Sequence, residues 1–401
     1  MAKVALNGIK VVELATMVSG PYCGKLLADM GADVIKVEPT DGDPSRQYGP
    51  FPKSGAHPER SAMFLYNNTS KRGITLNLDK AAGLDVFKRL IKWADVLIDN
   101  HHPAYLAGYG LNYDSIKELN RSLIYTSITP YGHTGPRAND KGYELTTIHA
   151  AGLGNILPTR SENIDRPPVK MGHYAVGYHG GITAALATLA GIIGRTHNHR
   201  GCLIDISLQE VILSVMRVNI ATSRYQGATW NRVPDRPPTM GRMETSDGYI
   251  VIGIPEDHHF RAFREIMGNP EWLAGGKWES LAYRTHHLMD VKTELEEWMR
   301  KEKRDKIHHK AAKRGIAVGP INSTKDVMAI KQYAAREYFS EIEHPEAGKL
   351  KYAGWPYKMT GTPPRVSRPA PLLGQHNEEI YRGILGYSEE EYKNLQKTGV
   401  V

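Results

Sequence analysis

From residue 9 onward the chain alternates short apolar runs with amphipathic stretches. Residues 9–14 read as a strand, Gly20-Pro21 as a turn, 22–30 as a helix and 33–37 as a second strand. A βαβ unit of this kind implies parallel strands with a helix covering one face. The pattern recurs: strand 74–78, helix 81–93, strand 96–98, helix 113–119 and strand 123–128. A small-residue helix over 180–193 then leads through a basic turn to a strand over 203–208 and a further helix. This half is α/β, a large doubly wound parallel-sheet domain.

Near Gln226 the pattern changes. Residues 230–238, rich in Pro and Arg, read as an irregular linker. Two alternating runs, 241–244 and 249–254, flank Ser246-Asp247-Gly248, a strong hairpin signal. Charged amphipathic helices follow over 258–267, 288–301 and 304–314. The expected organisation is a large α/β domain over 1–225, a smaller α+β domain over 226–326, and a segment 327–401 that returns to the first domain with a helix at 377–385. There are no internal repeats.

Composition narrows the function. At 401 residues the chain has room for two cores, and 41% hydrophobic with 23% charged residues is ordinary for a soluble protein. No uninterrupted apolar run reaches the length of a bilayer span, and the N-terminus lacks the apolar stretch of a signal peptide, so a cytoplasmic location is expected. Cys23 and Cys202 form no disulfide framework, consistent with a reducing compartment. A net charge of +8 invites polyanions, yet there is no dense basic helix and no aromatic-interleaved basic sheet. That argues against nucleic acid and membrane partners and for a phosphate-bearing small molecule.

The turn over 19–24 lacks Gly-x-Gly-x-x-Gly, and Pro21 removes a phosphate-facing N–H, so NAD or FAD is not expected. The histidine pairs lack acidic or cysteine partners at ligand spacing, so no metal is expected. The best candidate for chemistry is the stretch 171–177, a turn with His173 at its apex that runs into the small-residue helix. Histidine exchanges protons near neutrality and can act as a nucleophile. Its plainer alternative is a solvent-facing turn residue. Glu144 reads equally well as a catalytic acid or as a carboxylate favoured by a helix N-terminus. Lys71 and Arg72 read alone as solvated turn charges.

Several blocks, in order, carry a resemblance: Gly20-Pro21 with 27–38, Lys71-Arg72-Gly73 within 67–78, 94–100, 131–136, and 370–376. Together they resemble the class III CoA-transferase family, which includes formyl-CoA transferase, carnitine CoA-transferase and the α-methylacyl-CoA racemases. The resemblance spans nearly the whole chain. It implies an interlocked homodimer that handles coenzyme A as an acyl-CoA substrate together with a carboxylic acid acceptor.

By family position, Lys71 and Arg72 lie near the nucleotide end of CoA, and Asn100 and His101 lie along the pantetheine arm. Lys141-Gly142-Tyr143-Glu144 matches a segment in which an acidic residue approaches the thioester; transferases carry the same Tyr-Glu pair, racemases a His-Asp pair. Val18 stands where formyl-CoA transferase has a glutamine beside the thioester. His173 stands where the family's catalytic aspartate is expected. An imidazole cannot hold CoA as a thioester, so the aspartyl relay is closed at this position. Three functions follow: transfer of CoA between an acyl-CoA and a carboxylic acid, with Glu144 supplying the carboxylate or His173 carrying the acyl group; racemase, isomerase or dehydratase-type proton transfer using His173 and Glu144; or catalytically silent binding of CoA esters.

Overall fold

Strand β1 (Lys10–Leu14) shows how the sheet is built. Val12 and Leu14 face one core with Ile35, Val37, Ile74 and Leu97. Val11 faces the other with Val34, Val96, Ile98 and Ile124. Side chains two apart share a face, and both faces are buried, as a parallel sheet requires. Each of these aliphatic side chains stabilises the fold by about 1.5–3 kcal/mol through burial.

The computed structural model describes residues 4–158, 160–161, 163–234 and 240–401. They divide into two compact units, one comprising the chain up to 156 with 168–230 and 338–401, the other comprising 157–167 and 231–337. The first holds β1, α1 (Ser19–Asp29), β2 (Asp33–Glu38), β3 (Arg72–Thr75), α2 (Ala81–Trp93), β4 (Val96–Asp99), β5 (Ile124–Thr129), α3 (Glu144–Ala150), α4 (Ala175–Asn198), β6 (Cys202–Ser207), α5 (Leu208–Val215) and α6 (Arg217–Gln226). Its six strands run parallel in the order β3-β2-β1-β4-β5-β6. Helix α2 covers one face together with Ile380, Tyr381 and Leu395 of the C-terminal segment. Helices α1 and α4 cover the other.

In the second unit β7 (Met240–Thr245) and β8 (Gly248–Gly253) form the expected hairpin, and β9 (Ala317–Ile321) pairs antiparallel with β8. Helices α7 (Asp257–Ile266), α8 (Leu288–Lys301) and α9 (Arg304–Ala312) belong to the same unit, with Phe260, Phe263, Leu295 and Ile307 in its core.

Four expectations shift. The small unit gains 157–167 and extends to Glu337; Arg304 reaches Asp326 at 3.5 Å, which ties the segment beyond 321 to it. Gly20-Pro21 is not a turn but the opening of α1, where proline is tolerated because the first-turn N–H groups have no helical partner. The expected helix 377–385 is a π-helix over Glu379–Ile384. Finally, α4 is 24 residues long and, alone among the described residues, is long and apolar enough to cross a membrane by length and composition, with 39% of its apolar window buried. Glycines and alanines interspersed with large aliphatics hid that stretch from a search for uninterrupted apolar residues.

Candidate active site

The strand order reverses between β1 and β4, which makes the loops after these two strands the place where an open α/β sheet leaves a crevice. Leu14 and Asp99, the last residues of the two strands, lie in register. Just beyond them, the Asn100 amide accepts from the Thr16 N–H at 2.8 Å and donates to the Thr16 carbonyl at 2.8 Å and to Ser19 Oγ at 3.0 Å. One side chain thus staples the two loops together. Asn100 therefore positions the crevice as well as lining it.

A cavity of about 210 Å³ opens beside this staple, lined among others by Val18, Asn100, Tyr143, Glu144, Val176 and Gly177. Helix α4 starts without a side-chain cap of its own. Glu144 supplies one from α3: its carboxylate accepts from the Gly177 N–H at 2.7 Å and from the Val176 N–H at 3.2 Å. A carboxylate at these otherwise unsatisfied N–H groups is also favoured by the helix dipole. Burial nevertheless raises the proton affinity of Glu144, only partly offset by those two bonds. Gly177 keeps this approach close: a Cβ would lie 3.1 Å from Val18 and 3.3 Å from Glu144 Oε1, so those side chains would have to give by a few tenths of an ångström.

The other expected residues fall unevenly around this cavity. Tyr143 lines it while remaining 68% exposed. Lys141 is exposed and does not line it. His173 sits at φ 55°, a left-handed conformation that histidine adopts more readily than most residues. Its side chain is exposed, and its carbonyl accepts from Lys170 Nζ at 2.9 Å. The cavity wall is formed by its neighbour Tyr174 instead. Of the arginines in the linker, Arg232 donates to the Arg166 carbonyl within the small unit, and Arg236 lies outside the described residues.

A second cavity, about 410 Å³, lies at the same carboxyl ends and is lined by Leu14, Thr16, Asp41, Asp79, His101, Tyr105 and their neighbours. His101 is held firmly: its Nδ1 lies 2.7 Å from Asp99 Oδ1, which also accepts from the His101 N–H at 2.9 Å. Tyr125 donates to the other oxygen of Asp99 at 3.0 Å. The imidazole stacks on Tyr105 with ring centroids 4.3 Å apart.

Lys71 and Arg72 do not match the expectation of phosphate-facing cations. The Lys71 ammonium is fully buried, 2.7 Å from Glu13 Oε2, and donates to the Pro21 carbonyl and to Asn68 Oδ1, each at 2.8 Å. The contact with Glu13 is an ion pair by distance, although its angles do not make a hydrogen bond. Desolvation pulls Lys71 down to about 8 despite the neighbouring carboxylate. Arg72 is taken up by Asp33 and Glu379, each at 2.6 Å.

Beside Lys71, Lys36 bridges Asp43 at 2.8 Å and Glu13 at 3.3 Å. Asp43 in turn accepts from the Met17 N–H at 3.1 Å, in the loop that lines the smaller cavity. This buried network supports the β1–α1 loop, and the sequence reading missed it. The available signal was Glu13 and Lys36, charged residues set inside otherwise apolar strands.

A doubly wound sheet with two cavities at its switch point, one lined by a half-buried carboxylate at a helix N-terminus, is the arrangement in which open α/β sheets bind small molecules. The chain belongs to CoA-transferase family III, whose description fits residues 6–377. It is 32% identical over 400 residues to the human succinyl-CoA:glutarate CoA-transferase, covering 99% of this chain and 90% of that protein. The succinate–glutarate CoA-transferase of Agrobacterium fabrum is 33% identical, with 94% and 95% covered. The formyl-CoA:oxalate CoA-transferase of Streptomyces coelicolor is 30% identical over the full length of both. Among solved structures, a CaiB/BaiF family protein from Brucella suis superposes with a TM-score of 0.84 at 30% identity, covering 95% of this chain and 99% of that one. The chain is accordingly an acyl-CoA-processing enzyme of this family.

Proposed function

We propose that this enzyme moves CoA from an acyl-CoA to a short dicarboxylic acid, and that Glu144 is the carboxylate that carries CoA between them. The observation that supports this reading is the Glu144 carboxylate itself, half-buried, lining a cavity and gripped by two helix N-terminal N–H groups. Glu144 attacks the thioester carbon, expelling the CoA thiolate and leaving a mixed anhydride. The thiolate attacks the glutamyl carbon, releasing the donor acid and leaving a glutamyl-CoA thioester. The acceptor carboxylate attacks that thioester, and the freed thiolate then attacks the acceptor's acyl carbon, which restores Glu144. The Val176 and Gly177 N–H groups hold the oxygen on which negative charge develops.

In this reading CoA runs across the switch point, its nucleoside end in the larger cavity and its thioester in the smaller one, with Asn100 between. Val18 and Tyr143 flank the thioester. A second copy of the chain covers the exposed apolar side of α4 and α6, where Ile182, Leu186, Ile193 and Val218 are 52%, 68%, 62% and 68% exposed. Succinyl-CoA and glutarate, named for two of the relatives, are the first pair to assay.

The raised proton affinity of Glu144 favours a second reading, in which it removes a proton α to the thioester and His173 returns one.

The deciding experiment incubates the enzyme with succinyl-CoA in heavy water, with and without glutarate. The relay predicts glutaryl-CoA only when glutarate is present, and a mass increment of one CoA on the Glu144 peptide. Glu144→Gln then loses about 10³-fold or more in turnover, as removal of a covalent nucleophile does. His173→Ala keeps activity within about tenfold, the range expected of a residue outside the covalent relay. Unchanged transfer in Glu144→Gln overturns the assignment. Deuterium entering the acyl chain without acceptor, and lost in His173→Ala, establishes the second reading.

A further inference from the structure

The smaller cavity holds a buried hydroxyl that the relay through Glu144 leaves unused. Ser19, 7% exposed, opens α1 and lines the cavity beside Asn100. The direction of the hydrogen bond between them is fixed by a third group. The Thr16 N–H can only donate, so it meets the Asn100 carbonyl oxygen, at 2.8 Å, and the amide nitrogen is turned toward Ser19 Oγ at 3.0 Å. Ser19 Oγ is therefore the acceptor in that bond, and its own proton points elsewhere. No acceptor among the described residues takes it. Gly20 permits the close approach of Asn100: a Cβ there would lie 3.4 Å from Asn100 Cγ and 2.3 Å from Ala15 Cβ.

Neighbouring donors on the cavity wall are engaged. Thr147 Oγ1 donates to the Tyr143 carbonyl at 2.9 Å, and the Asn100 amide donates to Thr16 and Ser19. The Val176 and Gly177 N–H groups hold the Glu144 oxygens, so they serve the glutamyl carbon rather than the acyl carbon of the substrate. Attack on the thioester develops charge on a second oxygen, that of the thioester carbonyl, and a donor fixed before the reaction stabilises it best. Resting on the Glu144 reading above, we propose that Ser19 is a catalytic residue whose hydroxyl donates to the thioester carbonyl oxygen, and that Asn100 is the positioning residue that aims it. The proton stays on Ser19 Oγ throughout, and no bond to it forms or breaks. A buried donor left open is unfavourable in the free protein, and the substrate oxygen removes that penalty.

The test measures glutaryl-CoA formation from succinyl-CoA and glutarate by Ser19→Ala, with thermal melts beside it. This variant removes the hydroxyl and leaves Asn100 both of its bonds to Thr16. The expected result is a loss of about 10²-fold in kcat, with the KM for succinyl-CoA changed by less than about threefold and the melting temperature preserved. A second readout needs no turnover: the infrared carbonyl stretch of succinyl-CoA, labelled with ¹³C at the thioester carbon and bound to Glu144→Gln without acceptor. A hydrogen bond lowers that frequency, so adding Ser19→Ala raises it. Unchanged kcat in Ser19→Ala, a rise in KM alone, or a band that does not move overturns the inference. Failure of the relay is read separately: transfer that persists in Glu144→Gln overturns the relay, whereas the band still judges Ser19.

Discussion

Replacing Lys71 by methionine separates a structural cation from a ligand-binding one. Both side chains of the Lys71–Glu13 pair are fully buried, and the ammonium makes two further hydrogen bonds, to Pro21 and Asn68. Methionine matches the stem but removes the charge, leaving Glu13 with Lys36 at 3.3 Å as its remaining cation. Breaking a buried pair from one side costs about 3–5 kcal/mol, because the surviving charge has lost its compensation. Adding Glu13→Gln removes that charge, so the double variant should be less destabilised than the sum of the singles, by roughly 1–3 kcal/mol.

Urea titration followed by circular dichroism measures both quantities. The pH dependence supplies an independent check. Lys71 titrates near 8 in the folded protein and near its ordinary value of 10.5 when unfolded. Between those values the unfolded chain binds more protons at this position, so its contribution to stability rises with pH across that window, and Lys71→Met abolishes the rise. A variant that unfolds like the parent protein but binds CoA tenfold more weakly would refute the structural role and restore Lys71 as a phosphate ligand.

Gly181→Ala should destabilise by about 1–3 kcal/mol, since its Cβ would lie 2.7 Å from the Ser19 carbonyl. Gly194→Ala, in the same helix with open space around it, should stabilise by about 0.5–1 kcal/mol, and thermal melts compare the two. Leu186→Glu places a charge on the exposed apolar side of α4; light scattering should show a dimer in the parent protein and a monomer in the variant, and an unchanged mass would remove this face from the interface. Burial pushes the Cys23 thiol up to about 12, so Ellman's reagent at pH 8 should leave it unmodified until guanidinium is added. Labelling of native Cys23 ahead of Cys202 would contradict its burial.

The sheet was legible because both of its periodicities are strong. Fully apolar strands such as 96–98 and amphipathic helices such as 81–93 read directly as βαβ units, and the Asp247-Gly248 hairpin came from turn chemistry alone. Boundaries were less secure where a residue's usual role was overridden. Pro21 opens α1 rather than a turn, and small residues in α4 disguised its length. Helix α4 needs them because Gly180 and Gly181 admit Leu208 and α1 at backbone distance.

Around the site, residue identity and residue placement parted company. Residue type and order alone make Glu144 and His173 available, set Lys71 and Arg72 at the start of a strand, and carry the resemblance to the CoA-transferases. Which of these charges face a cavity depends on the folded chain. Glu144 does, because α4 lacks a cap of its own and draws the carboxylate onto its first N–H groups. Lys71 does not, because Glu13, nearly sixty residues earlier in the chain, turns inward from β1 and claims it. An ion pair between distant residues leaves no local pattern to read. Its partners are chosen by how the strands stack, and the stacking is settled by burial of the whole sheet.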